Sequence, residues 1–276
     1  MLKDILVHVD GSDSTERRLE AATLLAERSE AHLVGLYVNS IEDTVPYRDL
    51  YAIKEVMQYI AEQNAVEQAA AEAIFRRATV GGAINAEWRV VQGLIDRTVV
   101  QHARTADLAV VGQNNPERPP IGTGANVPTM VPLSSGRPTL VVPYAGHIAT
   151  IGKRVLVAWD GGREAARAVN DALPLLKTAE RVTIVSVCGG TRVASGELPC
   201  ADIAAHLARH DVNVDIRSEP RGDIQVADLL LSVASDLSAD LLVMGAYGHS
   251  RMRELFLGGV TRAILDRMTL PVLMSH

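Results

Sequence analysis

Aromatic side chains are scarce in this chain: they make up 4% of 276 residues, against 47% hydrophobic residues overall. A core with so few rings cannot lean on aromatic packing. It has to be built from Val, Leu, Ile and Ala, the composition that suits buried parallel strands with helices on both faces. Cysteine is nearly absent as well. Cys188 and Cys200 are the two thiols, too few for a disulfide framework in a large acidic chain. No apolar run approaches the roughly 20 residues needed to cross a bilayer, so no membrane partner is expected. Basic charge is in deficit, with a net charge of -6 and a pI near 5.8. That balance excludes a general nucleic-acid binder, which needs concentrated Lys and Arg to displace phosphate counterions. Residues 1–10 carry charges at Lys3 and Asp4 and contain no apolar signal core or small-residue cleavage site, so a cytoplasmic protein is expected.

What the chain does contain is a repeat. Lys3-Asp4-Ile5-Leu6-Val7-His8-Val9-Asp10-Gly11 is echoed 150 residues later by Lys153-Arg154-Val155-Leu156-Val157-Ala158-Trp159-Asp160-Gly161. An amphipathic helical pattern follows each, at 15–28 and 163–177, and then a second apolar run, at 32–38 and 181–187. Ala106-Asp107-Leu108-Ala109-Val110-Val111-Gly112 matches Ala239-Asp240-Leu241-Leu242-Val243-Met244-Gly245, and Pro138-Thr139-Leu140-Val141-Val142 matches Pro271-Val272-Leu273-Met274. Both halves read βαβαβαβαβ, so each is an α/β unit whose neighbouring strands run parallel through right-handed crossovers. Residues 46–82 predict a long helical connection in the first half, whereas the second has a shorter helix near 202–209. Residues 143–147 read as the linker.

In open parallel sheets, ligands bind beyond the carboxyl ends of the strands where strand order reverses. In the second half those ends carry Asp160 and the loop opened by Gly245. The loop runs through Gly248 and Gly258-Gly259-Val260-Thr261 into a helix predicted over 261–268. Glycines allow close backbone approach, and unpaired amides at a helix start attract an anion. The spacing is Gly, two residues, Gly, nine residues, Gly-Gly, which is neither a Walker A loop nor the dinucleotide fingerprint.

This segment resembles the universal stress protein signature, Gly-x2-Gly-x9-Gly-Ser/Thr, and the whole chain is similar to a tandem pair from that family. The resemblance implies two doubly wound, open parallel five-stranded sheets of strand order 3-2-1-4-5, the adenine-nucleotide alpha-hydrolase-like fold. It also implies a pseudo-dimer paired through the last strands, 139–142 and 272–274, with units at 1–146 and 151–276. It implies an adenine nucleotide, ATP or AMP, with magnesium as an optional companion. By position, Asp160 would bind the ribose hydroxyls and Ala158 would line the adenine pocket. Val187 would offer backbone groups to the adenine edge, and Met244 and Gly245 would flank the nucleotide. Gly248 would pass close to the phosphates, and Gly258, Gly259, Val260 and Thr261 would present amides or a hydroxyl to them. Gly259 stands where the family has Ser or Thr, so one hydroxyl donor is missing. The plainer reading makes Gly245 and Gly248 turn residues and Asp160 a helix cap.

The first half departs from the signature. With Gly112 laid on Gly245, Asn115 falls at Gly248, Ala125 at Gly258, Asn126 at Gly259 and Pro128 at Thr261. Pro116, Pro119, Pro120, Pro128 and Pro132 remove amide donors and disfavour a regular helix. Asp10, Gly11 and Ser12 remain, and the expectation is that Ser12 or Asp13 caps the first helix. Gly122 and Gly124 leave open a different anion nest. His206 and His210, near Cys200 and Asp202, have metal-compatible spacing but no second ligand pair. Three functional readings follow. One is a nucleotide-binding module with a regulatory stress-response role, acting through unidentified protein partners and with room for a further homodimer. The second is a slow ATP hydrolase, for which Glu254 is the one carboxylate in 245–261. The third is a non-binding scaffold.

Overall fold

The computed structural model describes residues 1–40, 50–81, 84–120, 122–188, 200–220, 222–248 and 259–276, with only the backbone described for 50–61 and 188. The first half runs β1 (Asp4–His8), α1 (Thr15–Ser29), β2 (His32–Ser40), α2 (Leu50–Thr79), β3 (Ala86–Gly93), α3 (Ile95–Ala103), β4 (Leu108–Gly112), a 3-10 turn (Gly122–Asn126), α4 (Val127–Ser134) and β5 (Thr139–Val142). The second half repeats the order as β6 (Arg154–Ala158), α5 (Arg163–Leu176), β7 (Arg181–Cys188), α6 (Ala201–Ala208), β8 (Val214–Pro220), α7 (Val226–Asp236), β9 (Leu241–Gly245), α8 (Gly259–Arg267) and β10 (Val272–Ser275).

The two five-stranded sheets join into one ten-stranded sheet of order β3-β2-β1-β4-β5-β10-β9-β6-β7-β8. All pairings are parallel except the central one, where Val272 faces Val141, Leu273 faces Leu140 and Met274 faces Thr139 in antiparallel register. The halves therefore point their strand carboxyl ends in opposite directions, and the pseudo-dimer shares a continuous core.

Alternation along each strand feeds two apolar layers. Ile5, Val7, Val155 and Val157 pack with α1, α2, α5 and α6 on one face. Leu6, Leu156, Val185 and Met244 pack with α3, α4, α7 and α8 on the other. Each fully buried Leu, Ile or Val contributes about 1.5–3 kcal/mol. The helices face inward because their small and aliphatic residues recur at helical spacing, as Ala165, Ala168, Val169, Ala172 and Leu176 do in α5. The outermost strands β3 and β8 alternate towards solvent, and each carries an ion pair along its edge, Glu87–Arg89 and Arg217–Glu219. Such charges discourage edge-to-edge pairing.

Two expectations are corrected. The prolines of the first half do not prevent a helix: α4 forms over eight residues with Pro128 in its first turn and Pro132 inside. Pro128 sits where an amide has no intrahelical partner to lose, so only Pro132 removes a bond. Nor do Ser12 and Asp13 cap α1. Ser14 holds that position without a side-chain cap bond, and the Ser12 hydroxyl donates to Asp10 at 2.5 Å instead. The linker is docked: the Tyr144 N–H donates to Gln113 Oε1 at 3.2 Å, and Arg17 donates to the Tyr144 carbonyl.

Candidate functional site

The reversal of strand order in the second half falls between β6 and β9, which are paired through Val155–Leu241, Leu156–Leu242 and Val157–Val243. Ala158 ends β6 half-buried, and Asp160 follows, exposed, at the tip. Gly161 has φ 74°, a left-handed turn that suits glycine. This turn brings the Gly162 N–H to Asp160 Oδ1 at 2.7 Å, so the carboxylate both faces solvent and organises the start of α5. Val187, near the end of β7, is half-buried and packs, like Ala158, on the face covered by α7 and α8. Met244 is buried on the same face as part of the floor.

Gly245 ends β9 against the first turn of α5. A Cβ there would lie 2.6 Å from the Ala165 nitrogen and 2.6 Å from the Glu164 carbonyl carbon. Across the tip, Gly259 opens α8 with nothing among the described residues within 4 Å of its missing side chain, Val260 is exposed and Thr261 is buried. The Thr261 hydroxyl accepts the Tyr247 N–H at 3.1 Å, tying the start of the glycine loop to α8. Tyr247 itself has φ 61°. Asp160 thus follows β6, Gly245 and Gly248 end and follow β9, and Gly259, Val260 and Thr261 open α8. Gly258 and the loop cations His249, Arg251 and Arg253 lie outside the described residues.

The residue that sequence reasoning missed here is Glu164. It is 8% exposed, and a Cβ on Gly248 would sit 2.8 Å from its Oε2. Its Oε1 accepts two bonds from the exposed Arg163, at 2.7 and 3.1 Å. Burial works against ionisation of this carboxyl, but its own backbone N–H at the helix start and the Arg163 guanidinium prevail, holding its pKa below the ordinary value. The signal available in sequence was an acidic residue in the first turn of the helix beside the glycine loop.

The first tip is built differently. Arg18 stands where α5 has Ala168, and His8 where β6 has Ala158. Arg18 is 2% exposed and forks onto both carboxylate oxygens of Asp10, with further bonds to Ser12 Oγ at 2.9 Å and Thr15 Oγ1 at 2.6 Å. Its other amino group lies 3.5 Å from His8 Nδ1, and its Cδ would be 3.0 Å from a Cβ on Gly112. The side chain crosses the end of β4. Burial alone would raise the pKa of Asp10, yet Arg18 and the neighbouring hydroxyl hold it far below the usual carboxylate range. Tyr37 is buried beside this cluster, and its phenol is pushed up to about 12 by that burial and by the carboxylates of Glu67 and Asp10. Arg18 was legible as an Arg on the apolar i, i+4, i+7 face of α1, in line with Ala22 and Leu25.

Elsewhere, the rings of His206 and His210 meet edge-on at 4.8 Å, and Cys200 is buried. Among the described residues, no group of three or more His, Cys, Asp or Glu could hold a metal ion, and no helix is long and apolar enough to cross a membrane.

Residues 1–119 and 152–276 match the Universal stress protein family. Universal stress protein Slr1230 of Synechocystis sp. is 23% identical over 295 residues, covering 99% of each chain. A universal stress protein from Archaeoglobus fulgidus shares the fold with a TM-score of 0.73 at 16% identity, over 98% of this chain and 97% of that one. The Pseudomonas aeruginosa protein PA1789 does so with a TM-score of 0.60 at 17% identity, over 99% and 92%.

Proposed function

The chain belongs to the universal stress protein family, and from that premise we propose that its second half binds an adenine nucleotide at the tip of β6, β7 and β9, while the first half serves as a structural copy. One observation carries this reading: the same place holds Arg and His side chains in one half and alanines in the other. Arg18 and His8 occupy the first tip and engage Asp10, whereas Ala168 and Ala158 stand in the second and leave Asp160 exposed. The ribose hydroxyls are the natural donors for Asp160, and the half-buried Ala158 and Val187 offer an apolar surface to a planar base. The phosphate would lie towards Gly248 and the start of α8, where amides unpaired within the helix and the positive end of the helix dipole favour an anion.

The role that fits is regulatory: the occupied tip stabilises one arrangement of the surrounding loops for a partner during stress. The test is to denature the purified protein and identify any released small molecule by mass, then to titrate adenosine and AMP into wild type and Asp160→Ala. Charge-assisted hydrogen bonds are worth about 1.5–3 kcal/mol, so the variant should bind roughly ten- to a hundredfold more weakly. An unchanged affinity, or no binding by wild type, removes the reading.

A further inference from the structure

We propose that the first half of the chain is a positioning clamp for the nucleotide tip of the second: Gln113 and Thr129 hold α8 and the root of the glycine loop, and the affinity for a phosphorylated ligand depends on them. The clamp rests on the reading of that tip as a nucleotide site and gives the first half its part in it. Both residues belong to the other half and act through the elements they hold.

Gln113 directly follows β4 and is 4% exposed. Its Nε2 donates to the Leu265 carbonyl of α8 at 2.9 Å, and its Oε1 accepts the Tyr144 N–H at 3.2 Å. Leu265 lies in the last turn of α8, where carbonyls have no partner within the helix. The amide therefore fixes that end of α8 against the first half, while the other end carries Gly259, Val260 and Thr261 to the tip. The second grip is at the root of the glycine loop. Tyr247 holds a left-handed φ of 61°, uncommon in a bulky residue, and is tied on two sides. Its N–H donates to Thr261 Oγ1 at 3.1 Å. Its half-buried ring packs in the apolar layer that also holds Val127 and Val131, with the phenol hydrogen-bonded to the side chain of Thr129 in α4.

The supports run one way across the junction. With Gly112 laid on Gly245, Ala246 stands where the first half has Gln113, and it has no polar side chain to reach α4. Asn114 stands where the second half has Tyr247, and its Nδ2 turns back to the Ala125 carbonyl of its own half at 2.8 Å. Arg262 stands where α4 has Thr129, and its exposed side chain pairs with Asp266 within α8. The half that engages its own Asp10 with Arg18 supplies the grips, and the half with the exposed Asp160 receives them.

Isothermal titration of the full chain with adenosine and AMP, beside urea denaturation of each variant, separates positioning from plain stability. Gln113→Met keeps the length of the side chain and removes both of its bonds. Thr129→Val keeps the shape and removes the hydroxyl, and Thr129→Ser restores it. Each of the first two should weaken AMP about three- to tenfold under conditions where the variant is fully folded, with adenosine within about twofold of wild type and Thr129→Ser close to wild type for both ligands. AMP affinity that survives both substitutions while urea stability falls overturns the proposal, because the two residues are then structural only. Equal weakening of AMP and adenosine overturns it as well, since the elements held are those that face the phosphate. If wild type binds neither ligand, the reading of the tip falls too, whereas binding that needs Asp160 but neither Gln113 nor Thr129 removes the clamp alone.

Discussion

His8 stands in β1 where the second half has Ala158, and its imidazole is buried beside Arg18 and Asp10. Burial lowers its pKa to about 4, with Arg18 adding to the effect and Asp10 opposing it. The denatured chain takes up this proton near the ordinary value of about 6.5, whereas the folded chain resists until about 4. Between those limits the unfolded state binds more protons, so stability rises with pH across the window and falls as the solution is acidified. The loss should approach about 3 kcal/mol. Asp10 acts in a lower window: its depressed pKa stabilises the fold above the ordinary carboxylate value and is lost only as pH falls below it. Urea denaturation at pH 7 and at pH 4.5 measures the His8 contribution, and His8→Gln should flatten most of the difference. A variant that keeps the wild-type slope would place the titrating group elsewhere.

Gly245 joins β9 to the glycine loop, and its lack of a side chain decides how closely α5 can approach the sheet. The atoms that a Cβ would meet at 2.6 Å are backbone atoms of Ala165 and Glu164, so the first turn of α5 has to move. Overpacking of this kind costs about 1–3 kcal/mol. Gly245→Ala should lower the urea-derived stability by about 2 kcal/mol and weaken AMP binding as Glu164 and Asp160 are displaced. Gly259→Ala, at the start of α8 with no described residue within 4 Å of the new methyl, should leave stability within about 0.5 kcal/mol. The elements themselves were legible because buried parallel strands leave short aliphatic runs, and helices such as α5 repeat their apolar residues at a fixed spacing. The 150-residue echo then placed Asp160 and the glycine loop at strand ends. What spacing along the chain could not reveal was which first-turn side chain folds over a neighbouring strand's glycine. For that reason Glu164 at Gly248 and Arg18 at Gly112 emerged only from the assembled tips. The prolines of α4 argue against a helix only when Pro128 counts as a breaker, whereas in the first turn it has no intrahelical bond to lose.

At the scale of the molecule, the antiparallel contact of β5 and β10 makes the two halves one sheet with shared apolar layers. Polar contacts cross the junction too: Gln113 donates to the Leu265 carbonyl at 2.9 Å while Arg28 donates to the Ile151 carbonyl at 2.9 Å. Separating the halves would expose Leu140, Val141, Val272 and Leu273, all at most 1% exposed, and would strand the buried Gln113 amide. Neither half should therefore unfold alone before the other. The chain supplies its own reporters, since its two tryptophans fall one in each half. Trp88 in β3 lies 5.3 Å from Phe75 with the rings tilted by 38°, and Trp159, one residue before Asp160, packs partly buried against the core. Fluorescence melts of Trp159→Phe, which reads Trp88, and of Trp88→Phe, which reads Trp159, should each show no earlier transition in one half when heated with the other tryptophan's variant as reference, after correction for each variant's calorimetric midpoint. AMP at about 100 times its dissociation constant adds about 2.7 kcal/mol to the folded state. It should raise both midpoints together by roughly 5 °C or more, although Trp88 lies in the half whose tip is closed by Arg18. A shift confined to Trp159 would mean that the β5–β10 junction opens before either half melts, and that the nucleotide stabilises its own half alone.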